Sequence, residues 1–423
     1  MLLDAVQDRF FAHSPMAVAV RGAFEYALDP THLDALFEQT VGHRDDRHLL
    51  FSTCVDLMAT VVCRVKPSVH AAYQAHDHIP VNVTALYARL ARVPMAAGRD
   101  LVRHTADRLG PILRAMSGAV PDPLPGYRVK ILDGNHLGKT QRRLKPLRDV
   151  VAGPLPGQTL VVLDPALGLA IDVIGCEDGH AQERSLLDSI LETVADRDVW
   201  VADRNFCTTG FLFGVARRGG SFVIRRHAAT LSWERESEWV SAGRTGTGTL
   251  TEQTIGLTDP DGAELAVRRV RLTLDPRTRD GDGVIEVLTN LPAEVATASV
   301  VAEQYRGRWS VEGLFLRLTT VLKCEVNTLG YPPPSLFIHH VCSPLSRRAV
   351  ATCLASGNRV RGGLGFLGPR VALRYRFKFA PRAKPNSHFA MSPTDHVPIS
   401  DHSSAGMAIP SPGHAPETSN AKW

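Results

Sequence analysis

At 423 residues with 44% hydrophobic side chains, the chain is long enough for two or three domains and has the composition of a globular protein. No uninterrupted apolar run approaches the roughly 20 residues that cross a bilayer, and the opening MLLDAVQD lacks a basic region, so a membrane span and a secretory signal are excluded and a soluble, cytoplasmic protein is expected. The net charge of +5 invites a nucleic-acid partner, but residues 331–423 hold 11 Lys and Arg against 3 Asp and Glu, leaving 37 against 40 in residues 1–330; local patches must therefore carry any case for DNA.

Residues 1–126 read as a helical N-terminal domain. Segments 33–39, 48–65 and 83–93 carry 3.6-type apolar spacing, and Pro67, Pro80, Pro94 and Pro111 punctuate them. Asn82 is placed to cap a helix that exposes Arg89 and Arg92, which serves either as a DNA-reading helix or as an ordinary amphipathic one. The run PDPLPG at 121–126 reads as a linker.

From Tyr127 the pattern turns to strands, at 128–132, 159–163 and 169–174, the last two joined by DPALG, in which Asp164 has a turn residue's place before proline. A helix at 183–191, a strand at 199–202, a helix at 210–218 and a strand at 221–225 follow, an alternation that gives an α/β domain. The polar stretch 228–283 contains short alternating runs at 249–255 and 265–274, and 285–291 returns a strand. Segment 301–330 is the most informative. At helical spacing Tyr305, Arg308, Glu312, Phe315 and Thr319 share a face, Trp309, Leu314, Leu318 and Leu322 form an apolar stripe beside it, Thr297 is placed as N-cap and 327–330 as the stop. After Leu336 proline density rises, with 12 of the 28 prolines falling in 331–423, and apolar periodicity fades beyond residue 380. The seven cysteines are scattered without metal-finger spacing.

A glutamate beside arginine on a packed helix is in many proteins an ordinary ion pair. Two further acids change the reading: Asp133 and Asp203 each end a strand-like run, and the order Asp, Asp, Glu on strand, strand and helix is a metal-site pattern. The words ILDGNHL, LPGQTLVVLDPALGLAIDV, CEDGHAQERSLLDSILE, VWVADRNFCTTGFLFGVARRGG and YRGRWSVEGLFLRLTTVLKCEVNTLGYP together resemble bacterial insertion-sequence transposases of the DDE class, in the group called insertion sequence family four. The resemblance runs from about Asp133 to Pro332 and includes Tyr305, Arg308 and Glu312 as a Tyr-x-x-Arg-x-x-x-Glu signature; the group's lysine seven residues after the glutamate is Thr319 in this chain.

The resemblance implies a ribonuclease-H-like catalytic core at 127–227 and 284–336 and a β-rich insertion at 228–283; the atypical, proline-rich basic tail at 337–423 reads either as a disordered extension whose reading frame is altered near Ile338 or as an authentic basic DNA-binding tail. The resemblance also implies double-stranded DNA as partner, both as terminal inverted repeats and as target, a homodimer in the DNA complex, and two Mg²⁺ ions, with Mn²⁺ able to substitute, held by Asp133, Asp203 and Glu312. Such ions align a nucleophile and neutralise charge on the phosphorus oxygens. Arg308 would fork onto a phosphate, and Tyr305 would either contact DNA or pack the helix. Residues 128–148 hold seven basic side chains and one acid; Lys139, Arg142, Arg143 and Lys145 are the candidates for a DNA backbone. The competing readings are a nuclease on the same fold that cannot join strands, and an inactive remnant that only binds DNA.

Overall fold

The structure is a computed structural model; it describes residues 22–42, 49–76, 79–115, 124–136, 157–178, 181–227, 231–275, 281–320, 324 and 332–343, all within the unit spanning Met1–Arg361. Among the described residues, several helices precede the sheet. In α1 (Pro30–Val41) the Asp29 carboxylate accepts from the amides of Thr31 and His32 while Pro30 occupies the first turn, so both start signals agree. Helix α2 (Phe51–Val62) is buried along most of its length, α3 (Val69–Gln74) is capped by Ser68, and α4 (Val83–Leu90) is capped by Asn82 as expected. One expectation for α4 fails: Arg89 is buried, with its guanidinium over the Phe37 ring, and only Arg92 faces solvent. Tertiary packing claimed the arginine's long apolar stem. Helix α5 (Met95–Ala115) was also misjudged, because Pro111 lies inside it rather than ending it. A proline removes one backbone bond, and the burial of Ala97, Leu101, Val102, Leu109 and Leu113 along one face outweighs that loss.

One ten-stranded sheet forms the body. Strands β1 (Arg128–His136), β2 (Gln158–Asp164) and β3 (Leu169–Cys176) form an antiparallel meander. Asp164 closes its hairpin by accepting from the amides of Ala166 and Leu167, a turn role as expected. Helix α6 (Leu187–Leu191), entered through a 3₁₀ turn at Glu183–Leu186, leads to β4 (Asp198–Ala202), and α7 (Thr209–Arg217) leads to β5 (Ser221–Arg225). Strands β4 and β5 run parallel to β1, giving the order β3-β2-β1-β4-β5. This mixed order agrees with the α/β core expected from the alternation of strands and helices.

The stretch expected to be a β-rich insertion supplies β6 (Trp233–Glu236), β7 (Val240–Thr245), β8 (Gly248–Thr258) and β9 (Glu264–Leu274). They do not form a separate body. Strand β10 (Val284–Thr289) pairs with β5 on one side and β9 on the other, so the sheet continues from the core through β10 into β9, β8 and β6. Trp200, Phe206, Phe211, Phe222 and Ile224 of the core cluster pack together with Ile255, Leu257 and Val267 of the inserted strands.

The expected single helix beyond Thr297 is two. Helix α8 (Ala298–Gly307), capped by Thr297, ends where Arg308 and Trp309 turn, and α9 (Ser310–Thr320) continues. Of the expected apolar stripe, Leu314 and Leu318 are buried and Trp309 is half-buried; its Leu322 and the expected stop at 327–330 lie outside the described residues. Helix α10 (Pro332–Cys342) corrects the boundary placed at Leu336: Phe337, Ile338, His339, His340, Val341 and Ser343 are all buried. His340 packs against Gly98 of α5 and Gly175 of β3, so the helix is wedged between the N-terminal helices and the sheet. The rest of the tail lies outside the described residues.

Asp172, which had no partner legible in the sequence, joins the N-terminal helices to the sheet. Arg99 and Arg103, one turn apart on α5, each place two nitrogens within 3.1 Å of its carboxylate. Burial opposes the charge on Asp172, but these four hydrogen bonds outweigh it and hold the carboxyl below its ordinary pKa.

Candidate active site

Strand geometry puts the three acids on one side of the sheet. Strand β1 pairs with β4 as far as Leu132 and Ala202, and Asp133 and Asp203 are the next residue on each chain, so they stand at the same level where β4 ends. Leu132, Ala202 and Ile224 face the core cluster shared with α7. By alternation Asp133, Asp203 and, on β5, Arg225 project to the opposite face. That face carries α8 and α9. Asp203 is extended and caps the 3₁₀ turn Arg204–Phe206 by accepting from the Arg204 amide, which fixes its carboxylate at the strand tip.

The Arg308 guanidinium, 9% exposed, reaches into this edge. It donates to Asp133 Oδ2 at 2.7 Å and to Glu312 Oε1 at 3.3 Å, bridging the strand acid and the helix acid. Burial alone would lower the arginine's pKa, but Asp133, Tyr305, Asp203 and Glu312 surround it and raise it. Tyr305 is 4% exposed, and burial raises its phenol, with a hydrogen bond to Arg308 acting the other way. Such burial favours the packing alternative for Tyr305.

Burial pushes the Asp133 carboxyl up to about 7; the Asp203 and Glu183 charges add to the rise, while Arg308 and the Gly134 amide oppose it. Glu183 was not singled out from the sequence. Its carboxylate rests on Gly134 so closely that a Cβ there would collide with it, and the missing side chain is what admits this fourth acid beside Asp133. Among the described residues no three His, Cys, Asp or Glu side chains are gathered so as to hold a metal ion as they stand; between Asp133 and Glu312 lies Arg308.

Residues 158–328 match a family model described as the transposase DDE domain. That segment of the chain is similar to a transposase DDE domain. Asp203, Tyr305, Arg308 and Glu312 lie inside the matched segment, and Asp133 lies ahead of it. The cryo-EM structure of a piggyBac transposase synaptic complex with hairpin DNA aligns over 84% of each chain at 11% identity and a TM-score of 0.31, a likeness too loose to bear on the argument. No curated protein matches the chain.

The structure brings Asp133, which precedes the matched segment, together with Asp203, Glu312, Arg308 and Tyr305 at one edge. Lys139, Arg142, Arg143, Lys145 and the Thr319 side chain lie outside the described residues. Among those residues no helix is long and apolar enough to cross a membrane. Sequence reasoning missed Arg225, whose only local signal was its place as the last residue of a parallel strand.

Proposed function

We propose that this chain is a divalent-metal-dependent transposase that cuts the ends of a mobile DNA element and joins the 3′-hydroxyl to target DNA. The observation that carries the reading is the meeting of Asp133, Asp203 and Glu312 around a buried arginine at one edge of the mixed sheet, in a chain with a segment similar to a transposase DDE domain. The donor set suits a hard divalent cation such as Mg²⁺ or Mn²⁺, because it consists of carboxylate oxygens. Asp133, Asp203 and Glu312 would hold the metal, which when bound neutralises the phosphorus oxygens and activates the attacking oxygen.

The chain's own residues do the positioning. Arg308 holds Asp133 and Glu312 at a fixed separation, and the Asp203 cap keeps the second acid at the strand tip. Lys139, Arg142, Arg143 and Lys145 would follow the DNA backbone, and two copies would pair the two element ends. The proposed division is a helical N-terminal domain to residue 126, a catalytic core at 127–227 that resumes at 284 and runs to at least 343, and the insertion between them. Incubating the protein and Mg²⁺ with a plasmid that carries the DNA flanking its gene tests the reading. Cleavage and joining are expected, and Asp133→Asn, Asp203→Asn and Glu312→Gln should each lose at least about 10³-fold, the equivalent of several kcal/mol of transition-state stabilisation. Cutting without joining would reassign the chain as a nuclease, and full activity in the variants would overturn the reading.

A further inference from the structure

We propose that Arg225 is a further phosphate-contacting residue of this site, and that Asp282 of the inserted region is its resident counter-ion, displaced when DNA binds. The inference rests on the DNA-processing reading above and names a contact that the acid set and its signature do not include.

Three observations place Arg225 there. Strand β5 follows β4 in parallel register, with Ala202 opposite Ile224, so the next residues, Asp203 and Arg225, are lateral neighbours at the C-terminal ends of the two strands. Ile224 faces the core cluster, so Arg225 projects to the face that carries Tyr305, Arg308 and Glu312. Its guanidinium feels the negative charge of Asp203 besides its direct partner.

That partner is the unusual part. Arg225 is 20% exposed and donates to Asp282 at 2.8 Å, and Asp282, on the connection from β9 to β10, is 45% exposed. Glu286, three-way bonded to Arg226, Arg269 and Arg271 and 14% exposed, shows how this chain builds a permanent ion pair. The Arg225 pair differs, because one member faces water and such pairs are weak, about 0–1 kcal/mol. A planar guanidinium binds a phosphate through two nitrogens at least as well as a carboxylate. A phosphate arriving beside Asp203 therefore exchanges one anion for another, with little rearrangement of Arg225. Asp282 also gives the insertion a contact with the acid edge, which a surface subdomain without substrate contact would lack.

The test is the salt dependence of binding to a fluorescein-labelled mixed-sequence DNA duplex in Ca²⁺, with thermal melting as a fold control. Arg225→Ala should lower affinity and reduce the log–log salt slope by about 0.9, one phosphate contact, while Arg225→Lys restores the slope and part of the affinity. Asp282→Asn leaves the arginine in place and should raise affinity by up to about fivefold, the worth of a half-exposed pair. An unchanged slope in Arg225→Ala, alongside wild-type binding, overturns the assignment of Arg225 alone. Weaker binding by Asp282→Asn overturns the counter-ion role. A wild type that fails to bind duplex at low salt overturns this assignment and the transposase reading together.

Discussion

Replacing Arg308 by methionine isolates what its buried charge does for the acid site. The side chain keeps its apolar bulk, so packing changes little with pH, whereas the charge term follows the protonation of Asp133. In the protein as it stands Asp133 titrates near 7, with burial raising it and Arg308 holding it down. An opposite charge at 2.7 Å lowers a carboxyl by 1–3 units, so its loss should carry Asp133 to about 9. The sign follows from linkage: the folded pKa lies above the unfolded one, so this carboxyl favours folding at low pH and opposes it as pH rises through the folded value. Shifting that value from about 7 to about 9 costs about 1.4 kcal/mol at pH 8 and less than about 0.1 kcal/mol at pH 6. The Glu312 contact adds about 0.3–0.5 kcal/mol at either pH. Urea denaturation in metal-free buffer at both pH values measures the difference. A gap under about 0.3 kcal/mol, or a larger loss at pH 6, would show that Arg308 does not stabilise the Asp133 carboxylate.

Asp172→Ala should cost about 3–5 kcal/mol in urea denaturation, because it strands Arg99 and Arg103 beside a buried strand; a loss below about 1 kcal/mol would mean that the clamp is solvated. Burial works against the Glu286 charge, yet hydrogen bonds from Arg269, Arg226 and Arg271 bring its pKa down to about 2. The pair's stability is thus present above the unfolded value near 4.5 and lost as pH falls towards 2, and Glu286→Gln should flatten that acid limb in a pH-melting series. Ending the chain at Leu336 exposes the surroundings of Phe337, Ile338 and Val341 at about 1.5–3 kcal/mol each, comparable with a domain's whole stability, so the truncated protein should fail to melt cooperatively. Divalent-cation affinity, measured calorimetrically with Mn²⁺, should rise with pH up to about 7, because binding releases the Asp133 proton.

Several elements were legible in the chain alone because a few neighbouring residues decide them. The runs that became β4 and β5 are uninterrupted apolar stretches with nowhere to go but a buried strand, Asn82 and Thr297 cap helices within their own first turns, and Asp164 closes a turn with its own following amides. The identities of Asp133, Asp203 and Glu312 could likewise be read from strand ends and a helical face.

What the residues do to one another could not. Arg308 turns inward onto Asp133 across 175 positions of sequence, a contact set by where β1 outruns β4 and where α8 breaks into α9. Arg89 was buried over Phe37, Pro111 stayed inside α5, and the insertion joined the sheet through β10, because the free energy of burial gathered over a whole face exceeds any single residue's local preference. Local chemistry named the acids and the tips that carry them. Strand register and packing decided that their first partner is an arginine, that Glu183 stands beside them over Gly134, and that Arg225 faces the same edge, since distances between residues far apart in sequence exist only once the sheet has closed.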